Sequence, residues 1–160
     1  MKNIYTITAF TENQPGVLYR IADLFLRRKV NIESLTVSEI EEKGEARFTI
    51  VVHAEALLVE KIVKQLYRII EVIKVIESTD DELIPREIAL IKVDAKDMKK
   101  RQEIEHLMGI SQNCRIIEVA KSYLVIEKTG TEIQIDSFHE LLKPFGIKEL
   151  VQSGRIAVFR

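Results

Sequence analysis

Hydrophobic and polar positions alternate over residues 4–11, where Ile4-Tyr5-Thr6-Ile7-Thr8-Ala9-Phe10-Thr11 is rich in β-branched and aromatic side chains. Such a run predicts a strand. Asn13-Gln14-Pro15-Gly16 is turn chemistry. From Val17 the period changes: Val17, Leu18, Ile21, Ala22, Phe25 and Leu26 recur at three- and four-residue steps, with Arg20, Asp23, Arg27 and Arg28 between them. This is an amphipathic helix, with Pro15 at its first turn and Arg27, Arg28 and Lys29 at its electronegative end. A strand over 31–39, a polar turn at Glu41-Glu42-Lys43-Gly44 and renewed alternation over 48–52 predict a hairpin. Residues 56–70 place Leu58, Ile62, Leu66 and Ile69 on one helical face, and 72–76 form a further strand. The order strand, helix, strand, strand, helix, strand is the split βαβ arrangement.

The charged, proline-ended segment Thr79-Asp80-Asp81-Glu82-Leu83-Ile84-Pro85 reads as a linker. Beyond it the same order returns: a strand over 87–93, a weakly amphipathic helix over 96–108, and strands over 115–119 and 124–128. A helix over 132–143 follows, and a last strand begins at 148–150, with 156–159 finishing its pairing. The expected fold class is α+β, two ferredoxin-like βαββαβ domains in tandem: residues 1–79, a linker over 80–86, and residues 87–160. Each half is small, and helices cover one face of such a sheet while strand edges stay open. A homodimer is therefore expected, and a fragment ending at Ile84 is expected to fold as one.

Composition narrows the function. The chain has 160 residues, of which 24 are basic and 25 acidic, for a formal net charge of −1. A protein that works by neutralising phosphates carries a basic excess. The 47–52 strand, Arg47-Phe48-Thr49-Ile50-Val51-Val52, also lacks the aromatic and basic interleaving of an RNA-binding sheet. No nucleic-acid partner is expected. A single cysteine excludes an internal disulfide. With no apolar run of transmembrane length and no signal-peptide core, the expectation is no membrane association and a cytoplasmic location.

Catalytic chemistry is sparse. His53, His106 and His139 fall in three different elements, none at the i, i+4 spacing of a helical metal pair. Cys114 precedes an apolar strand with no histidine nearby, and reads as a small buried hydrophobe. The six glycines match no phosphate-binding loop. No catalytic residue, metal site or cofactor is expected in this chain. What stands out is the turn from Glu12 to Leu18. A helix N-terminus exposes unpaired N–H groups and accepts a carboxylate. Gly16 lets a ligand approach the backbone, Asn13 offers a donor and an acceptor, and Val17 and Leu18 supply an apolar wall. Asn31 and Ile32 could add a polar and an apolar contact. The kit suits a small aliphatic amino acid; read from the residues alone, it is also an ordinary helix cap and turn.

The stretch Glu12-Asn13-Gln14-Pro15-Gly16-Val17-Leu18-Tyr19-Arg20-Ile21, followed by Asn31-Ile32-Glu33-Ser34-Leu35-Thr36-Val37, closely resembles the ACT domain of the small regulatory subunits of acetolactate synthase. Arg86-Glu87-Ile88-Ala89-Leu90-Ile91-Lys92-Val93, Arg115-Ile116-Ile117-Glu118-Val119, Glu127-Lys128-Thr129-Gly130-Thr131 and Ser153-Gly154-Arg155-Ile156-Ala157 resemble that family's C-terminal domain. The resemblance implies that residues 1–79 are an ACT domain for effector binding and dimerisation, with no active site in the chain. It also implies a catalytic large subunit as partner, a transferase carrying thiamine diphosphate, Mg and FAD and serving valine, leucine and isoleucine biosynthesis. The small subunit would activate that partner and confer feedback inhibition by a branched-chain amino acid, valine first. By the same resemblance the effector contacts are Asn13, Gly16, Val17 and Leu18 from one copy, with Asn31 and Ile32 from the other. Pro15 stands where many members carry a small polar residue. The competing expectation is a free-standing ACT-type amino-acid sensor acting on another target. A sensor of gene expression would need a basic helix-turn-helix, and none is visible in the sequence.

Overall fold

The computed structural model describes residues 3–160, so Met1 and Lys2 of the N-terminal run lie outside the described residues. Six elements come first: β1 (Asn3–Glu12), α1 (Val17–Arg27), β2 (Ile32–Glu39), β3 (Glu45–Ala54), α2 (Ala56–Leu66) and β4 (Val72–Ser78). They form an antiparallel sheet in the order β2-β3-β1-β4. The register sets Ile7 opposite Ile50 and Ile50 opposite Leu35. One sheet face is therefore apolar, and Ile21 and Phe25 of α1 and Ile62 and Leu66 of α2 pack on it, all fully buried. Burying each such side chain contributes about 1.5–3 kcal/mol.

Helix α2 stops at Leu66, short of the 56–70 that periodicity predicts. The Arg68 and Ile69 N–H groups bond three residues back, to the Gln65 and Leu66 carbonyls, which tightens the chain into a turn. Tyr67 then reaches β4: its hydroxyl donates to the Val75 carbonyl at 3.1 Å and accepts from the Val75 N–H at 3.0 Å.

The remaining strands and helices are β5 (Leu83–Asp94), α3 (Met98–Ile110), β6 (Cys114–Val119), β7 (Tyr123–Gly130), α4 (Glu132–Leu142), β8 (Ile147–Gln152) and β9 (Ile156–Phe159). Here the sheet order is β6-β7-β5-β8, with β9 also pairing β5. Ile91, Ile104, Leu124, Ile126, Ile135 and Leu142 fill its core. Helix α3 begins two residues later than expected because the Asp97 carboxylate accepts from the Lys99 N–H at 3.0 Å and caps it there. Ile104 is its one fully buried residue among those described, which is why its sequence shows so little amphipathic pattern. Both halves are ferredoxin-like βαββαβ units. Among the described residues no helix is long and apolar enough to cross a membrane.

By contact, the first compact unit comprises the described residues up to Pro85 together with Arg155–Arg160, and the second comprises Arg86–Gly154. This differs in two places from the expected 1–79, 80–86 and 87–160. The 80–86 segment is structured: Asp80–Glu82 is a 3₁₀ turn, the Thr79 N–H donates to the Glu82 carboxylate at 2.9 Å, and Leu83 is fully buried at the start of β5. Residues 156–159, expected to finish the pairing begun at 148–150, do pair β5 as β9, but by contact they belong to the first unit.

Hydrogen bonds to the face of the first sheet opposite α1 and α2 explain that placement. The Arg155 N–H donates to Ser34 Oγ at 2.9 Å, and Arg155 Nη1 donates to Thr6 Oγ1 at 3.2 Å and Asp80 Oδ1 at 2.7 Å. Arg47 Nη2 donates to the Ala157 carbonyl at 2.6 Å, and its guanidinium lies 5.7 Å from the ring centres of both Phe10 and Phe159. Burial pulls the Arg47 pKa below the usual guanidinium value. Thr6, Thr8, Thr49 and Ser78 on this first sheet are all buried.

Candidate functional site

The turn between β1 and α1 is fixed by backbone bonds from three directions. The Glu12 N–H donates to the Glu71 carbonyl at 2.8 Å, the Asn13 N–H to the Gly44 carbonyl at 2.7 Å, and the Gln14 N–H to the Glu12 carbonyl at 3.1 Å. Gly16 follows at φ 90° and ψ −11°, the left-handed region that a side chain would strain. The Arg20 N–H closes the first helical turn onto the Gly16 carbonyl at 3.0 Å. Gly16 is the cap and has no side chain to accept from the helix, so α1 opens without a side-chain cap. The Leu18 and Tyr19 N–H groups, inside that first turn, have no carbonyl further back in the helix. Gly16 and Asn13 are exposed, and Leu18 is half-exposed. The result is an accessible patch of backbone donors at the positive end of a helix, suited to a carboxylate.

The structure brings Asn13, Gly16, Val17 and Leu18 together here, but in a different division of labour from the one expected. Val17 is 2% exposed and its side chain packs into the core beneath. Its side chain is therefore not available as the expected apolar wall, whereas Leu18 stands half-exposed beside the turn. Asn31 and Ile32 lie at the other end of α1. The helix reverses there through Lys29 at φ 53°, Asn31 Nδ2 donates to Glu33 Oε1 at 3.1 Å, and half-buried Ile32 opens β2. Eleven helical residues at 1.5 Å each separate the two groups by about 16 Å. One chain cannot close them around one small molecule.

Two features of the first unit suit a second copy. β2 is an edge strand, with β3 its partner in the sheet. Leu18, Ala22 and Leu26 recur every fourth residue along an exposed line of α1, with Leu26 74% exposed. Sequence reasoning missed Arg20. Its guanidinium would sit 3.5 Å from a Cβ placed on Gly16, and it is paired with Glu71 at 2.5 Å. Its i+4 spacing from Gly16 was the available signal.

Elsewhere, the histidines stay apart: His53 on β3, His106 on α3 and His139 on α4. Among the described residues no three of His, Cys, Asp and Glu gather as metal ligands. Cys114 Sγ donates to the Ser111 carbonyl at 3.2 Å, and burial pushes its pKa above the ordinary thiol value, partly offset by the charge of Lys128. The thiol is thus protonated at neutral pH and is a poor nucleophile. In a thiol-reagent assay at pH 7.5 the native protein should label at least about tenfold more slowly than the urea-unfolded chain. Equal rates would contradict the inert assignment.

Comparison with known proteins bears on the whole chain. Residues 7–74 match the family model of the AHAS small subunit-like ACT domain, and residues 86–160 match that of the small subunit of acetolactate synthase. A protein from Archaeoglobus fulgidus named a probable acetolactate synthase small subunit is 44% identical over 156 residues, covering 98% of this chain and 96% of its own. The acetolactate synthase small subunit of Mycobacterium leprae is 44% identical over 158 residues, covering 98% of this chain and 91% of its own. The crystal structure of the Thermotoga maritima acetolactate synthase small subunit superimposes with a TM-score of 0.89 at 34% identity, covering 99% of this chain and 98% of that one.

Proposed function

Since the chain belongs to the family of acetolactate synthase small subunits, we propose that it is the non-catalytic regulatory subunit of that enzyme, activating a catalytic large subunit and making it sensitive to a branched-chain amino acid, valine first. The observation that carries this reading is the uncapped opening of α1 at Gly16, exposed and left-handed, with the half-exposed Leu18 beside it. The effector's carboxylate takes the first-turn N–H groups, Asn13 takes its ammonium, and Leu18 meets its side chain. Asn31 and Ile32 complete the site from a second copy, because the length of α1 keeps them from their own chain's turn. The thiamine diphosphate, Mg and FAD of the reaction belong to the large subunit, and the chain works where that enzyme works, in the cytoplasm.

Regulation then follows from linkage. An amino acid held by two copies favours the pairing that fits it, and inhibition results if the large subunit is more active with another pairing. Coupling of this kind is typically about 1–3 kcal/mol, or roughly 5- to 150-fold in affinity. The test is reconstitution with the cognate large subunit. Acetolactate formation should rise on adding this chain and fall on titrating valine, and the chain alone should run as a dimer in light scattering. Unchanged activity, together with no calorimetric heat for valine, leucine or isoleucine, would refute the reading.

A further inference from the structure

The groove between α1 and the turn that follows α2 is lined by four arginines, Arg20, Arg27, Arg28 and Arg68. Glu71 answers Arg20 at 2.5 Å and Asp23 answers Arg27 at 2.7 Å. Arg28 Nε donates to the neutral amide oxygen of Gln65 at 3.0 Å. Among the described residues no carboxylate is paired with Arg28 or Arg68. The groove thus holds two more positive than negative charges, in a chain whose net charge is −1. It encloses about 700 Å³, and on its rim Ile70 is 95% exposed. Arginine is enriched at protein-binding surfaces, and an uncovered aliphatic side chain beside it gains by being buried.

We propose that this groove is where the catalytic large subunit docks, through a segment that sets carboxylates against Arg28 and Arg68 and covers Ile70. The assignment rests on the regulatory reading above and gives it a surface. Charge argues against a second copy here: a two-fold contact centred on the groove would set one net-positive surface against another. A lone small anion would neutralise the arginines but leave Ile70 in water. Arg20 ties the groove to the effector turn, since it lines the groove and its guanidinium lies beside Gly16. A carboxylate arriving at that turn competes with Glu71 for Arg20 and changes the charge that the docked partner meets.

The test uses the full-length chain with its cognate large subunit, comparing wild type with Arg28→Glu/Arg68→Glu and, separately, Ile70→Asp. All three side chains are exposed, so the fold should survive, as circular dichroism would check. Each variant should bind the large subunit at least about tenfold more weakly, and wild-type binding should weaken with added salt. Valine heat and dimer mass should stay as in wild type. Undiminished binding by both variants would overturn the groove assignment. So would loss of the dimer in both, which makes the surface a self-contact. A calorimetric signal for inorganic phosphate that the arginine variant abolishes, with large-subunit binding intact, would assign the groove to a small anion instead. Failure of the wild type itself to bind would overturn the regulatory reading and the groove with it.

Discussion

Gly16→Asp should remove amino-acid inhibition, raising the effector's dissociation constant at least about 100-fold, which corresponds to roughly 2.7 kcal/mol. Two effects act in the same direction. The new carboxylate occupies the place proposed for the effector's own and repels it. Its Cβ would lie 3.5 Å from Arg20 Nη1, which puts the carboxylate within reach of pairing with that guanidinium and locking itself in the site. Left-handed backbone at φ 90° adds a conformational cost of about 1–2 kcal/mol for most residues, but aspartate and asparagine bear it best. Gly16→Asn is therefore the control: similar size and similar backbone tolerance, no charge. Calorimetry and inhibition curves on both variants separate the terms. A much larger loss in the aspartate variant marks an anion site. Equal losses would mean that shape alone matters, and an unchanged inhibition curve for aspartate would remove the effector from this turn.

Arg155→Ala should destabilise the protein by about 2–4 kcal/mol, lowering the thermal midpoint by roughly 5–10 °C. The Arg155 side chain is 4% exposed, whereas its partner Asp80 is 53% exposed. Water already screens the carboxylate, so the ion pair itself contributes little. The larger part comes from the guanidinium's buried bond to Thr6 and from the packing lost over the sheet. Deleting 155–160 should cost more, because it also removes β9 and the Ala157 carbonyl that Arg47 binds. By the same argument a fragment ending at Ile84, expected from sequence to stand alone, lacks β9 and the Arg155 that binds Thr6. It should unfold at lower urea than the full chain or fail to fold. A fragment as stable as the intact first unit, measured by urea titration, would show that the C-terminal segment is dispensable.

What the sequence revealed and what it hid follow from the range of the physics involved. β1 and α1 were legible because period-two and period-3.6 patterns are local consequences of burying one face. The turn before α1 was legible for a similarly local reason, since proline fixes φ and glycine permits the left-handed backbone found at Gly16. Val17 was given a second task it cannot perform: its spacing of four and eight from Ile21 and Phe25 already set it on the buried face of α1. Thr6, Thr8 and Thr49 occupy the polar half of an alternating pattern, which normally means water. Thr6 instead meets Arg155, more than a hundred residues away in the chain, and no local pattern encodes that. Its hydroxyl accepts a hydrogen bond from the guanidinium, which is what lets a polar residue be covered there. The Arg28 and Arg68 groove was illegible because its two sides come from the end of α1 and the turn after α2, far apart in the chain, and each arginine alone looks like ordinary solvated charge.

The return of Arg155–Arg160 to the first unit also constrains biosynthesis. A nascent chain that has delivered β1 to β4 still lacks β9, which is translated only after the whole second unit. Until then the face that carries Thr6 stays open to chaperones and to neighbouring nascent chains.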